Sequence, residues 1–369
     1  MIIDRVALRG FRSYTDSAFS FKDGVNIIWG ENARGKINLL EGIMLLSGAA
    51  SWRTRKRGDL IHFQREAAAV EGSVEARGRS FDIAIRMPLR GKTAYTVNGV
   101  TQKRQYDLSE YLRCVLFCPD DLYLVKGGPD KRRRFMDTAL GQLRPRYAAI
   151  LAEYQKLCEM KQFILKDGGS MTVLPEINDR MVYYGAEIVH YRGAFLFELS
   201  REAEIIHRNI SKGYEKLELR YKTVSSVDDP SLPPERLRDC LKAHMDSHWE
   251  AEMQSRSLLS GPHRDDIEIC INGQPARAFA SQGQARTAAL SMKFGERELF
   301  RLDSGEYPVL LLDDVLSELD EGRAAFVASE AVGGQTILTC CTPPDLFPGA
   351  HVIAIGGGSQ TSAKEAPDL

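Results

Sequence analysis

The stretch VNIIWGENARGKINLLE, residues 25–41, constrains this chain more than any other. A short apolar run ends at Gly30, a glycine-bearing loop follows, and Leu39, Leu40, Ile43 and Met44 then repeat at helical spacing. A buried strand, a loop and a helix N-terminus in that order gather several backbone N–H groups around one point. The helix dipole adds positive potential there. The loop satisfies G-x-x-x-x-G-K, so Gly30, Glu31, Asn32, Ala33, Arg34, Gly35, Lys36, Ile37 and Asn38 are expected to line a nucleotide's phosphates, with Lys36 reaching the β- and γ-phosphates. An ordinary strand–turn–helix with a surface lysine is the plainer alternative. The pattern breaks at one position, because Ile37 stands where a Ser or Thr hydroxyl would ligate Mg²⁺.

A second segment, YPVLLLDDVLSELD (307–320), runs an apolar stretch into Asp313 and Asp314, the pattern of a central parallel strand ending in paired carboxylates. Asp313 is expected to hold Mg²⁺, and Asp314 to polarise an attacking water as the catalytic carboxylate. A third segment, FASQGQARTAALSMKFGE, places Ser281, Gly283 and Gln284 at the start of a helix, a second end suited to an anion.

Most of the chain lies between the Gly30 loop and Asp313. From about Pro129 to Gln254 it reads as mostly helical, with apolar spacing that slips out of heptad register, so a compact helical lobe is expected rather than a long coiled coil. Strand-like runs with Asn98-Gly99 and Asn272-Gly273 hairpin signals lie on either side. The expected organisation is an α/β domain split by an insertion. Residues 1–126 and 257–355 form the two parts of the domain, 127–256 the lobe, and the Gly-rich polar stretch 356–369 a disordered tail.

A net charge of -1 excludes a uniformly basic nucleic-acid binder, so any such surface must be local. Two runs qualify. WRTRKR supplies Arg53, Arg55, Lys56 and Arg57 beside an aromatic, and KRRR opens the lobe with Lys131, Arg132 and Arg133. Clusters of this kind neutralise backbone phosphates without reading bases. Solvated faces, or ion pairs from Arg132–Arg134 to Asp and Glu across the lobe interface, are the alternative. No apolar run approaches a membrane span, and the seven cysteines show no zinc or disulfide spacing, so a reducing cytoplasm is expected.

A glycine loop, a Ser-x-Gly-Gln helix start and an acidic strand, in that order, resemble the ABC-type ATPases. In these the signature of one protomer closes on the γ-phosphate held by another. Ser317–Asp320 falls where their D-loop lies. The phrases LRGFRSY, VLFCPDDLYLVKGGPDKRRRFMD, LLSGPHRDD and FASQGQARTAALSMK closely resemble the RecF family of bacterial recombination mediators, from residue 1 to about 345. The resemblance implies an α/β fold, an ABC-type P-loop ATPase head with an inserted helical lobe. It also implies ATP and Mg²⁺ as cofactors, an ATP-dependent homodimer, binding to double-stranded or gapped DNA, and cooperation with RecO and RecR in loading RecA. By resemblance, Gly30, Asn32, Gly35 and Lys36 take the phosphate-loop roles, Ser281, Gly283 and Gln284 the signature roles, Asp313 and Asp314 the acidic-strand roles, and Asp320 the D-loop aspartate. Three departures stand out. The loop at Asp120 and Asp121 has no glutamine, the strand ILTCCT ends in Cys341 and Thr342 without a switch histidine, and Ile37 removes the magnesium-binding hydroxyl. ATP is therefore expected to bind with weakened Mg²⁺ retention and slow or absent hydrolysis. A DNA-binding scaffold with a vestigial nucleotide site is the rival reading. An ABC transporter subunit is disfavoured because the insertion is too large.

Overall fold

The structure, a computed structural model, describes residues 1–31, 34–168, 170–342 and 346–355. The expected tail at 356–369, and Asn32 and Ala33 of the glycine loop, lie outside the described residues. The chain forms two compact units, one from Met1–Asp121 with the segment from Phe300 onward, the other from Leu122–Leu299.

In the first unit the strands are β1 (Ile2–Phe11), β2 (Tyr14–Ser20), β3 (Val25–Trp29), β4 (Ala67–Ala76), β5 (Arg79–Pro88), β6 (Ala94–Val97), β7 (Val100–Gln102) and β8 (Cys114–Phe117), with helix α1 at Lys36–Leu46. β1, β2 and β4–β7 make an antiparallel sheet in the order β2-β1-β4-β5-β6-β7. Alternate residues of β4 and β5 are buried, as expected where one face of a sheet meets a core and the other meets water. The Asn98-Gly99 turn joins β6 to β7, both residues having positive φ, the type I′ geometry those residue types favour. α1 is buried nearly all round. It packs its Leu39, Leu40, Ile43 and Leu46 into one core with Val6, Leu8 and Val70 of the antiparallel sheet, and with residues of a second sheet.

The second unit holds α2 (Pro129–Leu143), α3 (Pro145–Asp167), α4 (Leu174–Ile210), β9 (Leu217–Lys222), α5 (Pro234–Ser247), α6 (Trp249–Ser255), β10 (Asp266–Ile271), β11 (Gln274–Pro275) and α7 (Ala276–Phe279). Helix α8 (Gln282–Ser304) begins in it and runs out of it. α4, 37 residues and so about 55 Å long, is the spine on which α3, α5 and β9 pack. Among the described residues the helices fold on one another within the unit and form no extended coiled coil, in keeping with the slipping apolar register.

The chain then returns to the first unit through β12 (Val309–Asp313), α9 (Glu321–Ala331), β13 (Thr336–Cys340) and β14 (His351–Ala354). These strands and two earlier ones form the second sheet, in the order β14-β3-β13-β12-β8, with every pairing parallel. The near-continuous apolar runs of β12 and β13 suit strands covered on both faces.

Two sequence expectations change. Residues 217–222, LELRYK, read as part of a helical region but form β9, which pairs with β10 and draws 257–299 into the second unit rather than the α/β domain. Arg132 and Arg133 also leave the DNA-facing set. Arg132 is 2% exposed and doubly bonded to Asp266, with further bonds to the Leu124 and Gly127 carbonyls. Arg133 donates to the Asp265 carbonyl at 2.6 Å and pairs with Asp130. Lys131 lies half-buried, its ammonium 5.4 Å from the centre of the Tyr123 ring.

These arginines belong to a buried polar cluster that holds the second unit together. Arg192 of α4 reaches Asp137 of α2 at 2.8 Å, Asp265 at 2.9 Å and the Pro262 carbonyl at 2.7 Å. The Tyr221 hydroxyl also donates to Asp265, which is fully buried. Burial raises the Asp265 pKa, and Arg192 opposes that shift. Removing one partner of such a group strands a charge. Arg192→Leu is therefore expected to lower the unfolding free energy by about 3–5 kcal/mol, read as a shift of the urea midpoint in circular dichroism. A shift within error of zero would show that the cluster contributes nothing.

Candidate nucleotide site

The glycine loop leaves β3 at its carboxyl end and enters α1 through Gly35, whose φ of 98° lies in the left-handed region. A side chain there would be strained and would also meet the Ser13 and Tyr14 hydroxyls at 2.9 and 3.0 Å. A Cβ at Gly30 would collide with the Ile355 carbonyl oxygen. Gly35 is thus required by its left-handed backbone and Gly30 by a close backbone approach.

The turn before β2 and the first residue of that strand buttress this helix entrance. The Tyr14 hydroxyl donates to the Gly35 carbonyl at 3.1 Å, and Asn38 donates to the Ser13 hydroxyl at 2.9 Å. One turn further on, Glu41 is fully buried. It accepts two bonds from Arg12, at 2.7 and 2.8 Å, one from Arg53 at 3.2 Å and one from the Ser51 hydroxyl. Arg53 also donates to Asn38 at 2.7 Å. Arg53, expected on the DNA surface, is held against the phosphate-loop helix.

Lys36 is buried, and its ammonium bonds the Gly30 carbonyl, lies 3.5 Å from the Glu31 carbonyl and sits 3.6 Å from the Cys341 sulfur. Glu31 and Arg34 pair with each other on the exposed side of the loop. Ile37 is half-buried in the first turn of α1.

β13 lies between β3 and β12 and touches both sets of expected residues. Its Thr339 hydroxyl donates to Asp313 at 3.0 Å and accepts from the Asp314 backbone N–H at 3.0 Å, while Cys341 at its end meets Lys36. Asp314 has a φ of 49° at the turn after β12, an uncommon left-handed conformation for a non-glycine residue. Burial raises the Asp313 pKa and Asp314 pushes it the same way; the Thr339 hydrogen bond and the Arg53 and Lys36 charges oppose.

Asp320 caps α9, accepting from the Arg323 backbone N–H at 3.1 Å and pairing with its guanidinium. Asp121 accepts from the Cys118 backbone N–H at 2.9 Å and so closes the turn after β8. In the second unit, Ser281 and Gln284 form a reciprocal capping box at the start of α8: the Gln284 N–H donates to the Ser281 hydroxyl and the Ser281 N–H to the Gln284 side chain, at 3.1 and 2.9 Å. The Gln284 amide also donates to Glu215 at 2.9 Å. The backbone of Gly283 accepts from the Thr287 hydroxyl at 3.1 Å.

The donor set suits a triphosphate: a buried lysine whose bonds are to backbone carbonyls it can exchange, a helix N-terminus, and a carboxylate one strand beyond its neighbour. For a divalent cation it suits less well. Asp313 offers oxygen, but Ile37 offers none. Chemistry at the carboxyl ends of a parallel sheet, with a glycine loop and an acidic strand flanking β13, defines an ABC-type ATPase head.

Residues 2–343 match the RecF/RecN/SMC N terminal domain family. The chain is 37% identical to the DNA replication and repair protein RecF of Oceanobacillus iheyensis, over 90% of this chain and 91% of the relative. It is 38% identical to that of Bacillus subtilis, over 92% and 93%. A solved structure of the recombination mediator protein RecF-ATPrS in the RecFOR pathway superposes with a TM-score of 0.89 at 32% identity, covering 96% of both chains. One of RecF-ATP gives 0.82 at 33%, covering 94% of both. The Pyrococcus furiosus Smc head shares the fold, with a TM-score of 0.51 at 17% identity, covering 95% of this chain and 92% of that one. The chain belongs to the RecF family of DNA replication and repair proteins.

Thr339, Arg12, Glu41 and Tyr14 escaped the sequence reading. The phrase LRGFRSY was the available signal, since three of its residues converge on the glycine-loop helix.

Asp313→Asn removes a buried charge and can keep the Thr339 hydrogen bond, so it is expected to raise the melting temperature of the nucleotide-free protein. A raised folded pKa means the ionised group destabilises the fold above that pKa, and the penalty shrinks as pH falls from the folded pKa to the ordinary carboxylate range, where it is gone. The gain should therefore be present at neutral pH and vanish on acidification. An equal or lower melting temperature at neutral pH would overturn the assignment.

Proposed function

We propose that this chain is an ATP-dependent, DNA-binding recombination and repair mediator. In this reading it binds ATP at Gly30–Asn38 and dimerises on it, with Ser281, Gly283, Gln284 and Asp320 serving the nucleotide of the facing protomer. It engages double-stranded or gapped DNA and acts in the cytoplasm with RecO and RecR to load RecA. The observation that carries the reading is that the end of β13, between β3 and β12, touches Lys36 through Cys341 and both Asp313 and Asp314 through Thr339, in a chain of this family. The nucleotide-bound RecF relatives support it further.

Within the site, Lys36 would neutralise phosphate charge, and the backbone N–H groups at the start of α1 would orient the phosphates. Asp314, in its left-handed turn, would orient a water. A bound Mg²⁺ would neutralise charge on the β- and γ-phosphates. Asp313 would hold it, and Ile37 withholds a second protein oxygen. A lost ligand costs roughly 1–3 kcal/mol, about ten- to a few-hundredfold in rate if felt at the transition state. Ile37 also favours a second reading, a DNA-binding scaffold whose nucleotide site is vestigial.

Steady-state ATP hydrolysis with Mg²⁺ and duplex DNA separates these. Ile37→Thr is expected to turn over about ten- to a few-hundredfold faster than the native chain. Equal rates would show the hydroxyl is dispensable here. If both proteins are inert and neither binds ATP, the scaffold reading takes over.

A further inference from the structure

The basic run at 53–57 divides by partner. Arg53 is committed to Glu41 and Asn38. Arg57 donates from its two terminal nitrogens to the Gly91 carbonyl at 2.7 Å and the Leu89 carbonyl at 3.1 Å. Arg55 and Lys56, between them, are exposed and have no acidic partner among the described residues.

The two carbonyls that Arg57 holds flank Arg90, in the turn between β5 and β6. That turn is also anchored by the Leu89 N–H, which donates to the Glu66 carbonyl at 2.7 Å. Arg90 and Lys92 are exposed, again without an acidic partner among the described residues. Of the nearby carboxylates, Asp59 accepts the Thr54 hydroxyl and Glu66 faces solvent. A guanidinium fork bridging two carbonyls two residues apart fixes the loop in a way a single ammonium cannot match. Arg57 thereby ties the loop that carries Arg90 and Lys92 to the run that carries Arg55 and Lys56, although more than thirty residues separate the two pairs in the chain.

We infer that Arg55, Lys56, Arg90 and Lys92 form one composite surface for the backbone phosphates of nucleic acid, and that Arg57 is its positioning residue rather than a phosphate contact. The inference rests on the reading above that this chain binds DNA. It adds the 89–92 loop to the surface and gives Arg57 a different role. Cations on two loops, with no Asn or Gln among the four, suit sequence-independent, salt-sensitive binding.

The test is fluorescence anisotropy with a labelled gapped duplex across a salt series. It compares the native protein, R55A/K56A, R90A/K92A, R57K and the triple variant R57K/R90A/K92A, each with an unchanged melting temperature. R90A/K92A is expected to flatten the slope of log K against log salt by about 1.8, the value for two phosphate contacts. R57K keeps the charge and loses the fork, so it should weaken binding alone yet add nothing to R90A/K92A. If R55A/K56A weakens binding and R90A/K92A does not, the composite surface is wrong while DNA binding through the basic run stands. If R57K alone binds as tightly as the native protein, or if its loss adds in full in the triple variant, the positioning role is wrong. If the native protein shows no salt-sensitive binding, the DNA reading itself fails and takes this inference with it.

Discussion

The head depends on one buried carboxylate. Glu41 lies out of water on a helix between two sheets, a position that an ionised group tolerates only when paired and hydrogen-bonded. Its partners come from two other segments: Arg12 from the turn between β1 and β2, and Ser51 and Arg53 from the stretch after α1. Arg12 also reaches the Asp59 carbonyl, and Arg53 reaches Asn38 in the first turn of α1. The helix that presents the glycine loop and the segment that carries the basic run are therefore fastened to the same group. Hydrophobic packing alone would hold α1 in its layer but leave its rotation and the course of residues 51–60 less determined.

The second organising feature is the placement of β13. In an open parallel sheet the chemistry gathers beyond the carboxyl ends of the strands, and here two functional strands are separated by a third. β13 supplies that third with small polar groups at its end. Thr339 holds Asp313 and the backbone of Asp314, and Cys341 lies against Lys36. The left-handed turn at Asp314 carries a conformational cost that the Thr339 hydrogen bond offsets in part. The absence of a histidine at this strand end thus leaves a well-connected neighbourhood rather than a gap.

The second unit shows why long sequence phrases need not mark a ligand site. KRRRFMD and LLSGPHRDD supply Arg132, Arg133, Asp137, Asp265 and Asp266, and these meet one another and Arg192 in the interior. A charge run is ambiguous in sequence because a helix turns its residues through a full circle every 3.6 positions. In α2 that rotation takes Arg132 to the inside. The same ambiguity resolves differently at 53–57, where irregular backbone sends Arg53 and Arg57 to partners and leaves Arg55 and Lys56 in water.

Local chemistry made much of this protein legible in advance. Four of the parallel strands, β3, β8, β12 and β13, are near-continuous apolar runs, the two Asn-Gly pairs are hairpins, and Gly35 and Lys36 lie where a glycine loop enters a helix, because each depends on residues adjacent in the chain. β9 was missed since six residues of mixed polarity inside a helical stretch become a strand only when β10 arrives to satisfy their backbone groups. The partners of Glu41 and Asp313, and the loop that Arg57 carries, were equally out of reach. A sequence states which charges exist and how they are spaced. Which of them lose their water, and so must find a partner, is decided only when distant segments close over them, since desolvation is a property of the assembled interior.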